Sequence, residues 1–259
     1  MLSGFRNRSI QMLCGLALMT LGFAWLAANF SARNPTTLAM DVGFSAIRFI
    51  AIIMALFWVQ DLLAKDIERK SVLFVLAYPV PRSSFVLGQF IGIALLSAIA
   101  IAINGILLWI MLEIGPSDHP QATPVALGLP YWASLAYQYL GVLVVAAFAT
   151  VIATLSTTPL LPLVLGLAFA ICATALGPTY DYLQTSVYAD TQQQAQLSPV
   201  LGYALWVLPD LSRLDIRVWA LYGKAPEPST LLAAAAMAGG YIALALGLAV
   251  NRFQRREFS

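Results

Sequence analysis

Six uninterrupted apolar runs, each close to the length of a membrane-spanning helix, constrain this chain more than any other feature of its sequence. A helix needs about 20 mainly apolar residues to cross the hydrocarbon core of a bilayer. A membrane-spanning β-barrel is excluded, because its strands would alternate apolar and polar residues in shorter segments. The sequence therefore predicts an all-α integral membrane protein with six transmembrane helices in a single transmembrane domain. We place the spans at about 9–30, 42–60, 84–114, 133–155, 159–177 and 229–250.

The composition indicates that most of the exterior faces lipid. Of the 259 residues, 60% are hydrophobic and 10% are charged, whereas a soluble domain carries about 25% charged residues. So few charges cannot cover a surface in water, which excludes a soluble enzyme. The net charge is only +2 and the basic residues form no long cluster, so nucleic-acid binding has no support.

The first apolar run is interpreted as a retained helix and not as a signal peptide. The hydrophobic region of a signal peptide is about 7–15 residues long. The run from Ser9 to Phe30 is longer, and five more such runs follow it.

The basic residues predict the orientation, because cytoplasmic loops are enriched in lysine and arginine. With the N-terminus inside, the inner segments carry nine of the 14 basic residues, which are Arg6, Arg8, Lys65, Arg69, Lys70, Arg82, Arg252, Arg255 and Arg256. The outer segments carry four, which are Arg33, Arg213, Arg217 and Lys224. Both termini are therefore predicted to be cytoplasmic.

The inner connection between the second and third spans has an amphipathic pattern. Two acid-first i,i+4 pairs, the favoured order on an exposed helix, are Asp61 with Lys65 and Asp66 with Lys70. On a helix, Leu63, Ile67 and Phe74 lie together on the other side. We therefore expect a short helix over about 61–73, lying against the inner face of the membrane and ending before Pro79.

The outer connection, about 178–228, is long and divides into a Gln-rich first part and an aromatic second part. The second part is too broken by Pro209 and by charges to span the membrane. We expect helices that either lie in the outer interface or dip into the membrane and return, since aromatic rings suit the headgroup layer.

Catalytic and metal-binding motifs are missing from the sequence. The phosphate-binding loop of ATPases ends in Gly-Lys-Ser/Thr, and here Gly223-Lys224 is followed by Ala225. There is one histidine, so the paired histidines of a zinc protease are absent. Cys14 and Cys172 lie inside apolar runs, and we expect both to be small buried hydrophobic residues. No catalytic residue, metal or cofactor is predicted on this chain.

A few polar residues inside the spans carry two interpretations each. Arg48 would cost about 2.5–3.5 kcal/mol at a helix centre. On the helix it lies on the same face as Asp41, and its side chain can extend toward the outer end. Arg48 is therefore either an outer anchor or structural pair, or part of a substrate path. Asn104 and Gln138 either bond to a neighbouring helix or contact substrate.

The stretch from Ile67 to Gly92, IERKSVLFVLAYPVPRSSFVLGQFIG, resembles the signature region of ABC-2-type transporter permeases. In that family an acidic residue is followed by a short helix, a Pro-x-x-Arg turn and a Leu-Gly-Lys/Gln run that opens the third span. The matching residues are Glu68, Pro79, Arg82, Leu87, Gly88 and Gln89. Further matches are the inner turn STTPLLP and the outer segment LPDLSRLDIRVWALYG before a last span with a basic tail.

The resemblance implies a permease subunit with an ABC-2, type V exporter-like architecture in the bacterial inner membrane. Such a subunit is surrounded by membrane lipid, forms a homodimer and pairs with a separate ATP-binding subunit that holds ATP and Mg. The inner helix would then be a coupling helix that docks on the ATPase through Asp66, Ile67, Glu68, Arg69 and Lys70, with Arg82 stabilising the turn. The outer helices around Pro209 and Asp210 would act as a gate.

Three other functions remain open on the sequence. A carrier driven by an ion gradient needs ionisable residues in mid-membrane, and only Arg48 comes close. No feature of the sequence favours a membrane assembly subunit that does not itself transport. A membrane enzyme would need a set of catalytic residues, and the sequence offers none.

Overall fold

The computed structural model describes most of the chain. The described residues are 2–30, 34–68, 81–114, 125–156, 158–185, 199–205 and 207–255. Of residues 2–14, 16 and 68 only the backbone is described. Across these ranges the regular structure is helical and no strand occurs.

The described regular elements with defined bounds are eight α-helices, one π-helical turn and one 3₁₀ turn. The α-helices are α1 Leu2–Phe30, α2 Pro35–Val59, α3 Lys65–Glu68, α4 Arg82–Ile114, α5 Leu129–Leu155, α6 Leu161–Thr185, α7 Arg217–Tyr222 and α8 Pro228–Gln254. The π-helical turn is Gln60–Ala64 and the 3₁₀ turn is Leu211–Leu214. Residues 199–205 are also helical.

Five helices in the described part of the chain are long and apolar enough to cross a membrane. They are Pro35–Ile67, Arg82–Ile114, Leu129–Leu155, Leu161–Thr185 and Pro228–Gln254. The predicted class, an all-α membrane protein, is therefore confirmed. The apolar stretch described within α1 is the shorter Ala17–Phe30, so the count of six spans stays a prediction.

The helix that contains the second predicted span, 42–60, extends beyond those bounds at both ends. It begins at Pro35 and not near 42, because proline suits the first position of a helix, where its missing N–H costs nothing. At the other end the chain stays helical from Pro35 to Ile67, without a break before the predicted coupling helix. Val59 and Lys65, which flank the π-helical turn, both have right-handed helical dihedrals, and neither glycine nor proline occurs between them.

The helix that contains the fifth predicted span, 159–177, continues into the predicted outer connection, which begins at Pro178. Proline is ordinarily disfavoured inside a helix, because it removes a helical hydrogen bond and crowds the preceding turn. Helix α6 instead continues through Pro178 to Thr185. Gly177 has no Cβ to clash with the proline ring, which removes part of the penalty.

One compact unit comprises Met1–Met54, Leu95–Tyr139 and Ile216–Glu227. Tyr131 is fully buried in it, donates a 2.6 Å hydrogen bond to the Gly105 carbonyl oxygen, and lies 5.1 Å from Phe44 between ring centroids. Helices approach closely at glycines: Gly105 faces Leu135 of α5. Small residues permit this kind of contact between membrane helices.

The other unit comprises Ala55–Ala94, Leu140–Asp215 and Pro228–Ser259. Phe169 of α6 stacks on Phe148 of α5, with ring centroids 4.1 Å apart, and on Tyr241 of α8 at 5.7 Å. Cys172 of α6 is exposed, so the expectation of a buried cysteine was wrong there. The reason is that α6 turns much of its apolar surface outward, as a helix in contact with lipid does.

Candidate functional site

The charged segment, residues 61–68, has the amphipathic character that the sequence predicted. The Asp61 carboxylate forms an ion pair with Lys65, and both side chains are about one-third exposed. On the opposite side Leu63 and Ile67 are buried. The segment thus presents charge outward and is fixed by its apolar side.

The π-helical turn lies where the second span meets the charged segment. It contacts α6 within the same unit. Gln60, its first residue, is buried, and its side-chain oxygen has no hydrogen-bond partner among the described residues. Single π-helical turns inside α-helices occur frequently at functional sites, and an unpaired buried oxygen carries a free-energy cost.

Two of the five predicted ATPase contacts are described with their side chains. Asp66 is partly exposed and Ile67 is buried. Glu68 is helical in its backbone, and Arg69 and Lys70 lie outside the described residues. The predicted role of these residues in contacting an ATPase therefore stays a prediction.

Arg82 makes a contact that the sequence did not suggest. It is the first residue of α4, and its Nη1 donates a 3.1 Å hydrogen bond to the carbonyl oxygen of Gln254, the last residue of α8. Phe85 and Phe253 stack beside it at 5.6 Å. A guanidinium suits a helix C-terminus, where unpaired carbonyls carry partial negative charge. The Pro-x-x-Arg turn itself falls largely outside the described residues.

Asn104 and Gln138 join helices to one another. Asn104 accepts a 3.2 Å hydrogen bond from the Thr20 hydroxyl of α1 and donates a 2.8 Å bond to the Ala100 carbonyl in its own helix. Gln138 donates a 3.3 Å bond to the Phe44 carbonyl of α2, while its side-chain oxygen has no partner in the described part of the chain. Both side chains are buried, so bonding to a neighbouring helix is confirmed and contact with substrate stays a prediction.

Asp41, which the sequence paired with Arg48, binds a different arginine. Arg217 of α7 donates a 2.9 Å hydrogen bond to the Asp41 carboxylate and a 2.6 Å bond to the Ser45 hydroxyl. Arg48 is partly buried. Arg217 was missed because 176 positions separate it from Asp41 and no local pattern signals such a pair.

Pro209 and Asp210, the predicted gate residues, form a buried turn. Helical bonding ends at Leu208, whose N–H donates to the Ala204 carbonyl, and Pro209 follows. Asp210 then caps the 3₁₀ turn: its carboxylate accepts bonds from the Ser212 N–H at 3.0 Å and from the Ser212 hydroxyl at 2.6 Å. It also pairs with Arg213 at 3.2 Å.

The same carboxylate lies directly against Gly177 of α6. A Cβ on Gly177 would overlap both oxygens of Asp210. The 3₁₀ turn that Asp210 caps also contacts α6 and α8. Whether the turn acts as a gate remains a prediction.

Comparison with known proteins shows that part of this chain is similar in sequence to a curated protein. No protein-family model matches the chain. Among curated proteins, the chain is 30% identical over 107 residues to a protein of Stutzerimonas stutzeri described as "Probable ABC transporter permease protein NosY". The match covers 39% of this chain and 38% of that protein, so the chain spans well under half the length of this relative. The likeness supports a distant relationship to ABC transporter permeases.

Proposed function

We propose that this chain is the permease subunit of an ATP-driven ABC transporter, moving a substrate across the bacterial inner membrane together with a separate ATP-binding subunit. The observation that carries the proposal is the 30% identity to a probable ABC transporter permease over 107 residues. The apolar helices support it, since a permease must span the membrane several times. The ABC-2 architecture with six spans and the homodimer belong to the same proposal.

The charged segment supplies a physical route for coupling. A motor subunit outside the membrane can move a span only if the surface that it contacts is joined stiffly to that span. Residues 61–67 continue the helix that begins at Pro35, and buried Leu63 and Ile67 hold their apolar side in place. A load applied to the charged side would therefore act on α2, and on α6 through the π-helical turn.

In this proposal the chain performs no catalysis. ATP and Mg are held by the partner subunit, whose hydrolysis cycle drives the movement. The charged residues at 61–68 and the basic residues that follow them would recognise complementary charges on the partner, and charge complementarity contributes chiefly to specificity and to the rate of association.

The experiment is co-purification of a tagged chain with the ATP-binding subunit. Asp66→Lys and Glu68→Lys each place a like charge where an opposite one is proposed to bind. We expect each to weaken recovery of the ATP-binding subunit and the coupled ATPase rate by about tenfold or more, which corresponds to about 1.4 kcal/mol. The amount of permease in the membrane should not change.

The matched control is Lys224→Glu, a charge reversal at an exposed residue that lies outside in the orientation we propose. It should leave recovery and ATPase rate at the wild-type level. The proposal is contradicted if no ATP-binding subunit accompanies the wild-type chain, or if all three reversals act alike.

A further inference from the structure

An apolar cavity of about 400 Å³ lies within the unit that contains the first helix. The end of α1, the start of α2 and the end of α4 form its walls. Its apolar lining includes Trp25, Ala28, Pro35, Ala39, Met111 and Leu112. This volume falls in the range of about 300–1,000 Å³ that is typical of small-molecule sites.

The residues that line the cavity favour a hydrocarbon occupant. Its polar side chains are Asn29 and Thr36, and no charged residue among those described contributes to it. An ion or a phosphate would therefore find no counter-charge among the described lining residues, and its burial against them would be costly. An apolar occupant makes dispersion contacts with the surrounding side chains, which an empty cavity does not provide. Water gains little there, because the described lining offers few polar partners.

Two of the large apolar residues that line the cavity are also exposed at the surface of the protein. Trp25 and Ile114 line the cavity and are also 60% and 80% exposed. Such exposure of large apolar residues fits a surface covered by lipid and not by water. Asn29 is exposed as well. Together with the Trp25 indole it suits the polar boundary of a bilayer, where aromatic rings with one polar edge are enriched.

We propose that this cavity binds an acyl chain of a membrane phospholipid, with the headgroup outside near Asn29. The inference requires only that the chain lies in a membrane, and not that it transports anything. A bilayer lipid is the occupant because the lining is apolar, two of its large apolar residues are exposed, and acyl chains are the most abundant apolar groups around a protein in a membrane.

The test uses a phospholipid with a photoreactive diazirine near the end of one acyl chain. The full chain is reconstituted in nanodiscs that contain this lipid and irradiated, and the adducts are mapped by mass spectrometry. We expect adducts on cavity residues such as Met111 to be at least about threefold more frequent than on Ile99, which is exposed on α4 outside the cavity.

Ala28→Leu fills part of the cavity and should reduce the cavity adducts at least about threefold. Ala102→Leu is the matched control: it adds the same volume at an exposed position of α4 outside the cavity and should change nothing. If Ala28→Leu does not accumulate in the membrane, Ala39→Leu, which also adds volume to the cavity lining, replaces it with the same expectation.

Two results would overturn the proposal. One is an even distribution of adducts over Met111 and Ile99, or cavity adducts that persist when the cavity is filled. The other is labelling of the cavity by a soluble single-chain diazirine amphiphile but not by the phospholipid, which would assign the site to an amphiphile that does not come from the bilayer.

Discussion

At the scale of single residues, the contact between Asp210 and Gly177 illustrates how a buried charge is accommodated. The carboxylate is 9% exposed and receives two bonds from Ser212 and one from Arg213. These partners offset the cost of removing the charge from water. Only a glycine in α6 leaves room for it, because any Cβ would occupy the place of the carboxylate oxygens.

Gly177→Ala is therefore expected to destabilise the protein by about 1–3 kcal/mol, although alanine is ordinarily the better helix former. The measurement is thermal unfolding of the purified protein in detergent. Gly240→Ala is the control, since open space surrounds Gly240 in α8, and it should be neutral or stabilising by up to about 1 kcal/mol.

Pro178 adds a second penalty for any Cβ at position 177, so a double-mutant cycle separates the two causes. In an Asp210→Ala background, Gly177→Ala should cost at least about 0.5 kcal/mol less than in the wild type. An equal cost in both backgrounds would show that the carboxylate is not the obstacle.

At the scale of elements, the π-helical turn Gln60–Ala64 joins a membrane span to the charged segment without interrupting the helix. A π-helical turn accommodates extra backbone within a helix. The buried Gln60 side-chain oxygen has no hydrogen-bond partner in the part of the chain that the structure describes, which indicates that this turn is not optimised for stability.

Gln60→Met preserves the length of the side chain and removes that oxygen, so the desolvation cost of about 1–3 kcal/mol disappears. We expect the thermal unfolding midpoint in detergent to rise by about 2–4 °C or more. Gln254→Met makes the same change at an exposed side chain and should shift stability by less than about 0.5 kcal/mol. A lower midpoint for Gln60→Met would mean that the oxygen is satisfied in the protein.

At the scale of the whole molecule, the sequence could predict features that depend on local periodicity. Apolar runs of about 20 residues predict helices regardless of their neighbours, and the i,i+4 pattern correctly placed Asp61 beside Lys65 and buried Leu63 and Ile67.

Features that depend on distant parts of the chain could not be predicted. Arg82 and Gln254 are 172 positions apart, and neither carries a local mark of the other. Helix α6 continues past Pro178, although proline is ordinarily unfavourable inside a helix. The π-helical turn has no sequence signature in this chain, and the cavity exists only because three helix ends meet.

The orientation of the charged segment is the central claim, since a permease can be driven by a cytoplasmic ATPase only if that segment faces the cytoplasm. Single cysteines replace Lys65 or Lys224, both of which have solvent-exposed surface, in a chain whose Cys14 and Cys172 are changed to alanine. A membrane-impermeant maleimide is then applied to right-side-out and to inside-out vesicles. The account predicts that Lys65→Cys is labelled only in inside-out vesicles and Lys224→Cys only in right-side-out vesicles, and labelling of Lys65→Cys in right-side-out vesicles would contradict it.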